Sequence, residues 1–307
     1  MFGFASTADE VIAGIDLTGK TAVITGASGG LGLQTAAILA GAGAEVIAAV
    51  RDPDTFRRSA AFTDNFPNPS AVESVAVDLA SLAGVHAAAA NIARHHRRID
   101  ILINNAGVMF TPQMSTTDGF EYQFGINHLG HFALTTALLP QLRAASEARV
   151  VTVSSQAHQV WGLDISDINF ERRPYDPFLA YGQSKSANVL MTVELHRRLG
   201  ADGVTALAVH PGTCATDLIR YMDRDTFKKL FAMGGAEFEP ENLKSVQQAS
   251  ATTVWAATAP HLHTHGGAYL ADCQISAASS AATDPDTAAA LWELSEQMIT
   301  SARLPQA

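Results

Sequence analysis

The chain has 307 residues, a formal net charge of −10, 47% hydrophobic and 16% charged residues. That length suits one large α/β domain or two small ones, and the composition supplies a large buried core. The acidic balance, with basic runs only at Arg94 to Arg98 and Lys228–Lys229, argues against a nucleic-acid partner.

The N-terminus, MFGFASTADEV, has neither a basic n-region nor a continuous apolar stretch, so no signal peptide is expected. Cys214 and Cys273 lack a C-x-x-C spacing and read as reduced thiols, which suits a cytoplasmic protein. In chain order, KTAVIT (20–25) reads as a buried parallel strand, and LGLQTAAILAGAG (31–43) as the helix that follows. EVIAAV (45–50) and SVAVD (74–78) are strands joined by a loop or short helix. Ser81 to Arg98 is helical, DILIN (100–104) a strand, and Thr117 to Arg143 one long helical region. RVVTVS (149–154) is a strand, Phe178 to Leu199 a helix, and VTALAVH (204–210) a strand. Residues 245–259 read as a helix, GAYL (267–270) as a short strand and 285–301 as a closing helix. Strands alternating with helices predict a parallel sheet covered on both faces, with ligands at the strand C-terminal ends.

Between the first strand and its helix lies TGASGGLG, with glycines at 26, 29, 30 and 32. Glycines let the backbone approach an anion, and a helix N-terminus offers unpaired N–H groups and a positive dipole end. Strand, glycine turn and helix together therefore predict a pyrophosphate site. Downstream, YGQSK places Tyr181 and Lys185 one helical turn apart on one face. A free tyrosine, with a pKa of about 10, exchanges protons poorly at neutral pH. A fixed cation beside it favours the phenolate, which makes tyrosine a usable general acid/base. His261, His263 and His265 form H-x-H-x-H but have no carboxylate in a ligand-like register, so no metal site is expected.

TGASGGLG, NNAG (104–107), Asn127 in FGINHLGHF, VSS (153–155), YGQSK and HPGT (210–213) occur together in one order. Their order and spacing resemble the short-chain dehydrogenase/reductase family from Thr18 to about Ser301. NHLGHF, the long gap before YGQSK, and GGAYLADC followed by ALWELSEQ are similar to the branch of retinol dehydrogenases and WW-domain oxidoreductases, although no WW domain is present. The resemblance implies a single Rossmann-type doubly wound α/β domain over 1–307, its core about 18–301. Its mainly parallel sheet would have about seven strands with helices on both faces. Rim insertions at 156–180 and 217–244 carry Trp161, Phe178, Phe227, Leu230, Phe231 and Met233, which point to a lipophilic substrate.

By the same resemblance, Asn127, Ser155, Tyr181 and Lys185 form a tetrad acting on an alcohol/carbonyl pair. Tyr181 would exchange the proton with the substrate oxygen, and Ser155, with Ser154 as the competing choice, would hold that oxygen. Lys185 would bind the nicotinamide ribose and lower the tyrosine pKa. Asn127 would kink its helix and hold a water. The cofactor would lie along Gly26, Ser28, Gly29, Gly30, Leu31 and Gly32. Asp78 and Leu79 would flank the adenine; Asn105, Ala106 and Gly107 would pack on the ribose; Pro211, Gly212, Thr213 and Thr216 would line the nicotinamide end. At the end of the second strand an acidic residue would bind the 2′-hydroxyl of NAD, whereas an arginine accommodates the 2′-phosphate of NADP. This chain has Val50 followed by Arg51, which favours NADP(H), with Asp52 as a weak counter-indication. The alternatives are NAD-linked alcohol oxidation, C=C reduction, and a non-catalytic dinucleotide sensor. By analogy with relatives, a homodimer or homotetramer would form through the helices 117–143 and 178–199.

Overall fold

The computed structural model describes residues 2–234 and 242–302; the side chains of Phe231 and Met233, both nominated above, lie outside the described residues. Seven parallel strands form the sheet: β1 (Thr21–Thr25), β2 (Glu45–Val50), β3 (Val72–Ala76), β4 (Ile101–Asn104), β5 (Ala148–Val153), β6 (Val204–His210) and β7 (Tyr269–Ala271). An eighth, β8 (Gln274–Ser276), pairs antiparallel with β7 at the edge. The order is β3-β2-β1-β4-β5-β6-β7-β8. Every residue of β1, β4 and β5 is buried, as expected of strands covered on both faces.

On one face, the helices Ala8–Ile12, Gly30–Gly41 and Val246–Thr258 pack with Ile24, Val46, Val151 and Leu207. On the other, Leu82–His95, Gly130–Ala137, Pro177–Leu199 and Pro285–Ser301 pack with Val23, Ile47, Leu102 and Val150. Alternate strand residues thus feed opposite layers. The sheet reverses its direction of growth at β1, between β2 and β4, and the crevice beyond those strand ends is where this architecture holds ligands. The Pro177–Leu199 helix, which carries Tyr181 and Lys185, starts cleanly because the Asp176 carboxylate accepts from the Phe178 and Leu179 amides and Pro177 needs no partner.

Three expectations change. β3 lies two residues earlier than the run 74–78. Residues 117–143 are not one helix: Tyr122–Phe124 leads into a π-turn at Gly125–Leu129, then Gly130–Ala137, and Leu139–Arg143 restarts at Pro140. The added β8 follows a hairpin whose Asp272 and Cys273 have φ of 52° and 54°. Of the insertions, 156–180 holds the short helix Ala157–Val160 and the 3-10 turn Ile165–Asp167; 217–244 holds the 3-10 turn Asp217–Tyr221 and the helix Arg224–Gly234. Among the described residues, no helix is long and apolar enough to cross a membrane.

Candidate active site

A cavity of about 640 Å³ opens at the strand C-terminal ends. Every nominated cofactor residue lines it, from Gly26 to Thr216, as do Ser155, Tyr181 and Lys185. The glycine turn is built for close approach. Gly26 and Gly30 have φ of 68° and 53°. A Cβ on Gly32 would stand 2.3 Å from the Gly26 carbonyl oxygen and 2.5 Å from Asn105 Nδ2. Gly29 caps the helix without a side chain, and nothing lies within 4 Å of where its Cβ would be, so first-turn N–H groups face the cavity. The residues present therefore fit a dinucleotide pyrophosphate.

Thr25 ties this turn to the loop after β4. Its Oγ1 accepts from the Asn105 and Ala106 amides at 2.9 and 3.0 Å, and Asn105 Nδ2 donates to its carbonyl at 2.8 Å. His131 continues the chain: Nδ1 lies 2.9 Å from the Asn127 carbonyl and Nε2 2.8 Å from Thr25 Oγ1. A carbonyl only accepts, so Nδ1 carries the proton and Nε2 accepts from Thr25. Burial pushes His131 down to about 4, keeping it neutral as this pattern requires.

Asn127 lies behind the cavity wall, fully buried within the π-turn. Its side chain accepts from the Val108 amide at 2.8 Å and donates to the Val108 carbonyl and Ser184 Oγ, both at 2.9 Å. Its side chain fastens the loop that carries Asn105, Ala106 and Gly107.

The two serines separate clearly. Ser154 is buried and donates to the Lys185 carbonyl at 2.8 Å. Ser155 lines the cavity beside Tyr181, and its Oγ accepts from the Ala157 amide at 3.2 Å. Burial pushes Tyr181 up to about 12, with Ser155 pulling the other way. Lys185 is pushed down to about 8 by burial, and its Nζ donates to the Val153 carbonyl at 3.0 Å. Nζ sits 5.6 Å from the Tyr181 ring centroid. The sequence expected this ammonium to hold the phenol below its usual value; here burial sets the direction, and the opposing influence comes from Ser155.

At the adenosine end, Arg51 is exposed on the cavity rim with Asp78 nearby. Asp52 is otherwise engaged: its carboxylate caps the Pro53–Arg58 helix, accepting from Thr55 N at 2.9 Å and Thr55 Oγ1 at 2.7 Å. Over the cleft runs a strap formed by Thr216 and the start of the 217–244 segment. Thr216 lies 3.6 Å from where a Gly30 Cβ would be and Leu218 3.8 Å from that of Gly107, and Tyr221 packs against the same core cluster as Tyr122. At the other end, Met109, Phe110, Trp161, Met222, Phe227 and Leu230 form an apolar wall. Of the nominated rim residues, Phe178 instead stands behind this wall, 4.4 Å from the Phe110 ring centroid. His263 Nδ1 and His265 Nδ1 face the nearby carbonyls of Pro260 and His261, and no group of three metal-ligating side chains occurs among the described residues.

A family model described as short chain dehydrogenase matches residues 20–226. Human retinol dehydrogenase 13 is 38% identical over 291 residues, covering 92% of this chain and 85% of its own. A probable oxidoreductase of Streptomyces lividans is 40% identical over 299 residues, covering 91% and 97%. Among solved structures, an uncharacterized protein from Mycobacterium paratuberculosis superposes with a TM-score of 0.72 at 37% identity, covering 94% of this chain and 97% of that one. A gluconate 5-dehydrogenase from Burkholderia cenocepacia, in complex with NADP and tartrate, shares the fold with a TM-score of 0.63 at 23% identity, over 83% and 94%.

Proposed function

The chain belongs to the short-chain dehydrogenase family and is an NAD(P)-dependent oxidoreductase acting on alcohol and carbonyl groups; from that premise we propose hydride transfer between NADP(H) and a lipophilic alcohol/carbonyl pair. One observation carries the reading: Tyr181, Ser155 and Lys185 converge on a cavity whose far end is a turn shaped for a pyrophosphate. When bound, the dinucleotide supplies or accepts the hydride and, oxidised, brings a positive charge. Tyr181, held protonated at neutral pH, donates its proton to the carbonyl oxygen in reduction and takes it back in oxidation. Ser155, lining the same cavity, holds the same oxygen and stabilises the charge that develops on it. Lys185, charged below about 8, binds the nicotinamide ribose hydroxyls. Asn127 positions the loop beneath them.

Arg51, with Val50 beside it and Asp52 occupied as a cap, supports the 2′-phosphate of NADP over the hydroxyl of NAD. The wall of Phe110, Trp161, Phe227 and Leu230 supports a lipophilic substrate, and relatives named retinol dehydrogenase agree with that class. The free thiols Cys214 and Cys273 support a cytoplasmic location. The closing helix Pro285–Ser301 packs on the Pro177–Leu199 helix and places Trp292 4.8 Å from Phe132. A homodimer or homotetramer through the helical regions 117–143 and 178–199 is proposed by analogy with relatives alone.

Turnover of a panel of lipophilic aldehydes and ketones with NADPH and with NADH tests the proposal. Turnover faster and tighter with NADPH supports it. Equal or better use of NADH moves it to an NAD-linked enzyme, and tight cofactor binding with no turnover moves it to a sensor.

A further inference from the structure

Ser155 follows the end of β5 in an irregular bend, where the β-ladder no longer fixes its side chain. Its Oγ accepts from the Ala157 amide at 3.2 Å, and its backbone is held by His158, three residues on and 1% exposed. His158 Nδ1 lies 2.6 Å from the Ser155 carbonyl, and its Nε2 accepts from the Ser279 amide at 3.2 Å. A carbonyl cannot donate and an amide N–H cannot accept, so both contacts hold only for a neutral ring protonated on Nδ1. Protonation of Nε2 would set one N–H against another.

Two further bonds join the same segments. Ser279 Oγ donates to the His158 carbonyl at 3.3 Å, and Gln159 Nε2 to the Ala277 carbonyl at 3.2 Å. The ring packs 4.7 Å from the Tyr269 ring of β7. The bend carrying Ser155 is thus backed by the chain that leaves the β7–β8 hairpin, more than 120 residues later in sequence.

We infer that His158 is a positioning residue for Ser155: its Nδ1–H clasps the serine carbonyl and so holds the backbone that presents the hydroxyl to the cavity, while Nε2 anchors the ring to Ser279. The inference rests on the role proposed above for Ser155. It assigns the two ring nitrogens different tasks, and substitutions can separate them. Asparagine places an amide near the Nδ1 position and retains the donor to Ser155; glutamine reaches the Nε2 position and retains an acceptor for Ser279.

The test compares His158→Asn, His158→Gln and Tyr181→Phe with wild type for turnover of decanal with NADPH, for NADPH affinity and for thermal midpoint. His158→Asn should stay within about threefold of wild-type kcat, whereas His158→Gln should lose on the order of 10- to 100-fold in kcat with NADPH affinity unchanged. A His158→Gln variant as fast as wild type, or a His158→Asn variant as slow as the glutamine one, overturns the inference. If Tyr181→Phe is itself active, the proposed function fails and the inference falls with it. An inactive Tyr181→Phe beside a fast His158→Gln sinks the inference alone. Whether or not the variants fold, ¹⁵N NMR of the wild-type imidazole should show the Nδ1–H tautomer for His158; the Nε2–H tautomer contradicts the assignment.

Discussion

Replacing Lys185 by methionine should destroy activity and stabilise the protein. The buried ammonium has been moved from its usual 10.5 to about 8. That corresponds to ~3 kcal/mol of unfavourable burial carried by the folded state at neutral pH. Methionine, of similar length, removes the charge and keeps the volume. Its cost is the bond from Nζ to the Val153 carbonyl, worth about 1 kcal/mol. That carbonyl is not orphaned, since Asn188 Nδ2 also donates to it at 3.0 Å. The balance favours the variant by about 2 kcal/mol at pH 7, or a melting temperature about 3 °C higher for a chain of this length. Below pH 8 the lysine is charged in both folded and unfolded chains, and the folded state bears the full burial cost. Between about 8 and 10.5 the folded lysine is already neutral while the unfolded one still binds a proton. Wild-type stability relative to the variant therefore rises with pH across that window. Denaturation of both proteins at pH 7 and pH 9.5 measures this. A variant less stable than wild type at pH 7, or a difference unchanged at pH 9.5, would refute the reasoning. A site that weakens its own fold in this way is a familiar trade of stability for function.

Arg51→Ala should weaken NADPH binding on the order of 10- to 100-fold, the loss of one charge-assisted contact, and leave NADH binding unchanged; calorimetric titration with each cofactor checks it, and an unchanged NADPH affinity would count against the arginine. Ser155→Ala should lower kcat by about 10²- to 10³-fold while sparing the fold, as removal of a hydrogen-bond donor to a developing oxyanion does. Ser154→Ala should cost about 1 kcal/mol of stability, through its lost bond to the Lys185 carbonyl, with turnover largely kept. The reverse pattern in the two serine variants would exchange their roles.

The parallel strands were legible because covered strands become continuous apolar runs, and ILIN and VVTV have little else to be. β8 was not, because its Gln274 and Ile275 are exposed and a three-residue edge carries no periodic signal. The short helix Ala8–Ile12 was missed although its Thr7/Glu10 capping box stands in the sequence. The break at Gly125–Leu129 was foreseen only through the family role of Asn127; an apolar-rich helical run does not reveal a π-turn. At the site, the cofactor residues and tetrad could be named because their motifs are local. His158 could not, since it acts through a partner distant in sequence, Ser279. The surroundings of Tyr181 were only partly legible for a related reason. The i, i+4 spacing showed the lysine near the phenol, but not the burial that dominates both groups.

The account turns on Tyr181 as the proton donor, and its replacement by phenylalanine tests that most directly. Tyr181→Phe deletes one oxygen from a buried ring packed 5.2 Å from Phe110, so fold and cofactor cavity should persist. Single-turnover oxidation of bound NADPH by decanal should then fall by at least about 10²-fold with NADPH affinity near wild type. A variant that oxidises NADPH at close to the wild-type rate would contradict the mechanism at its centre.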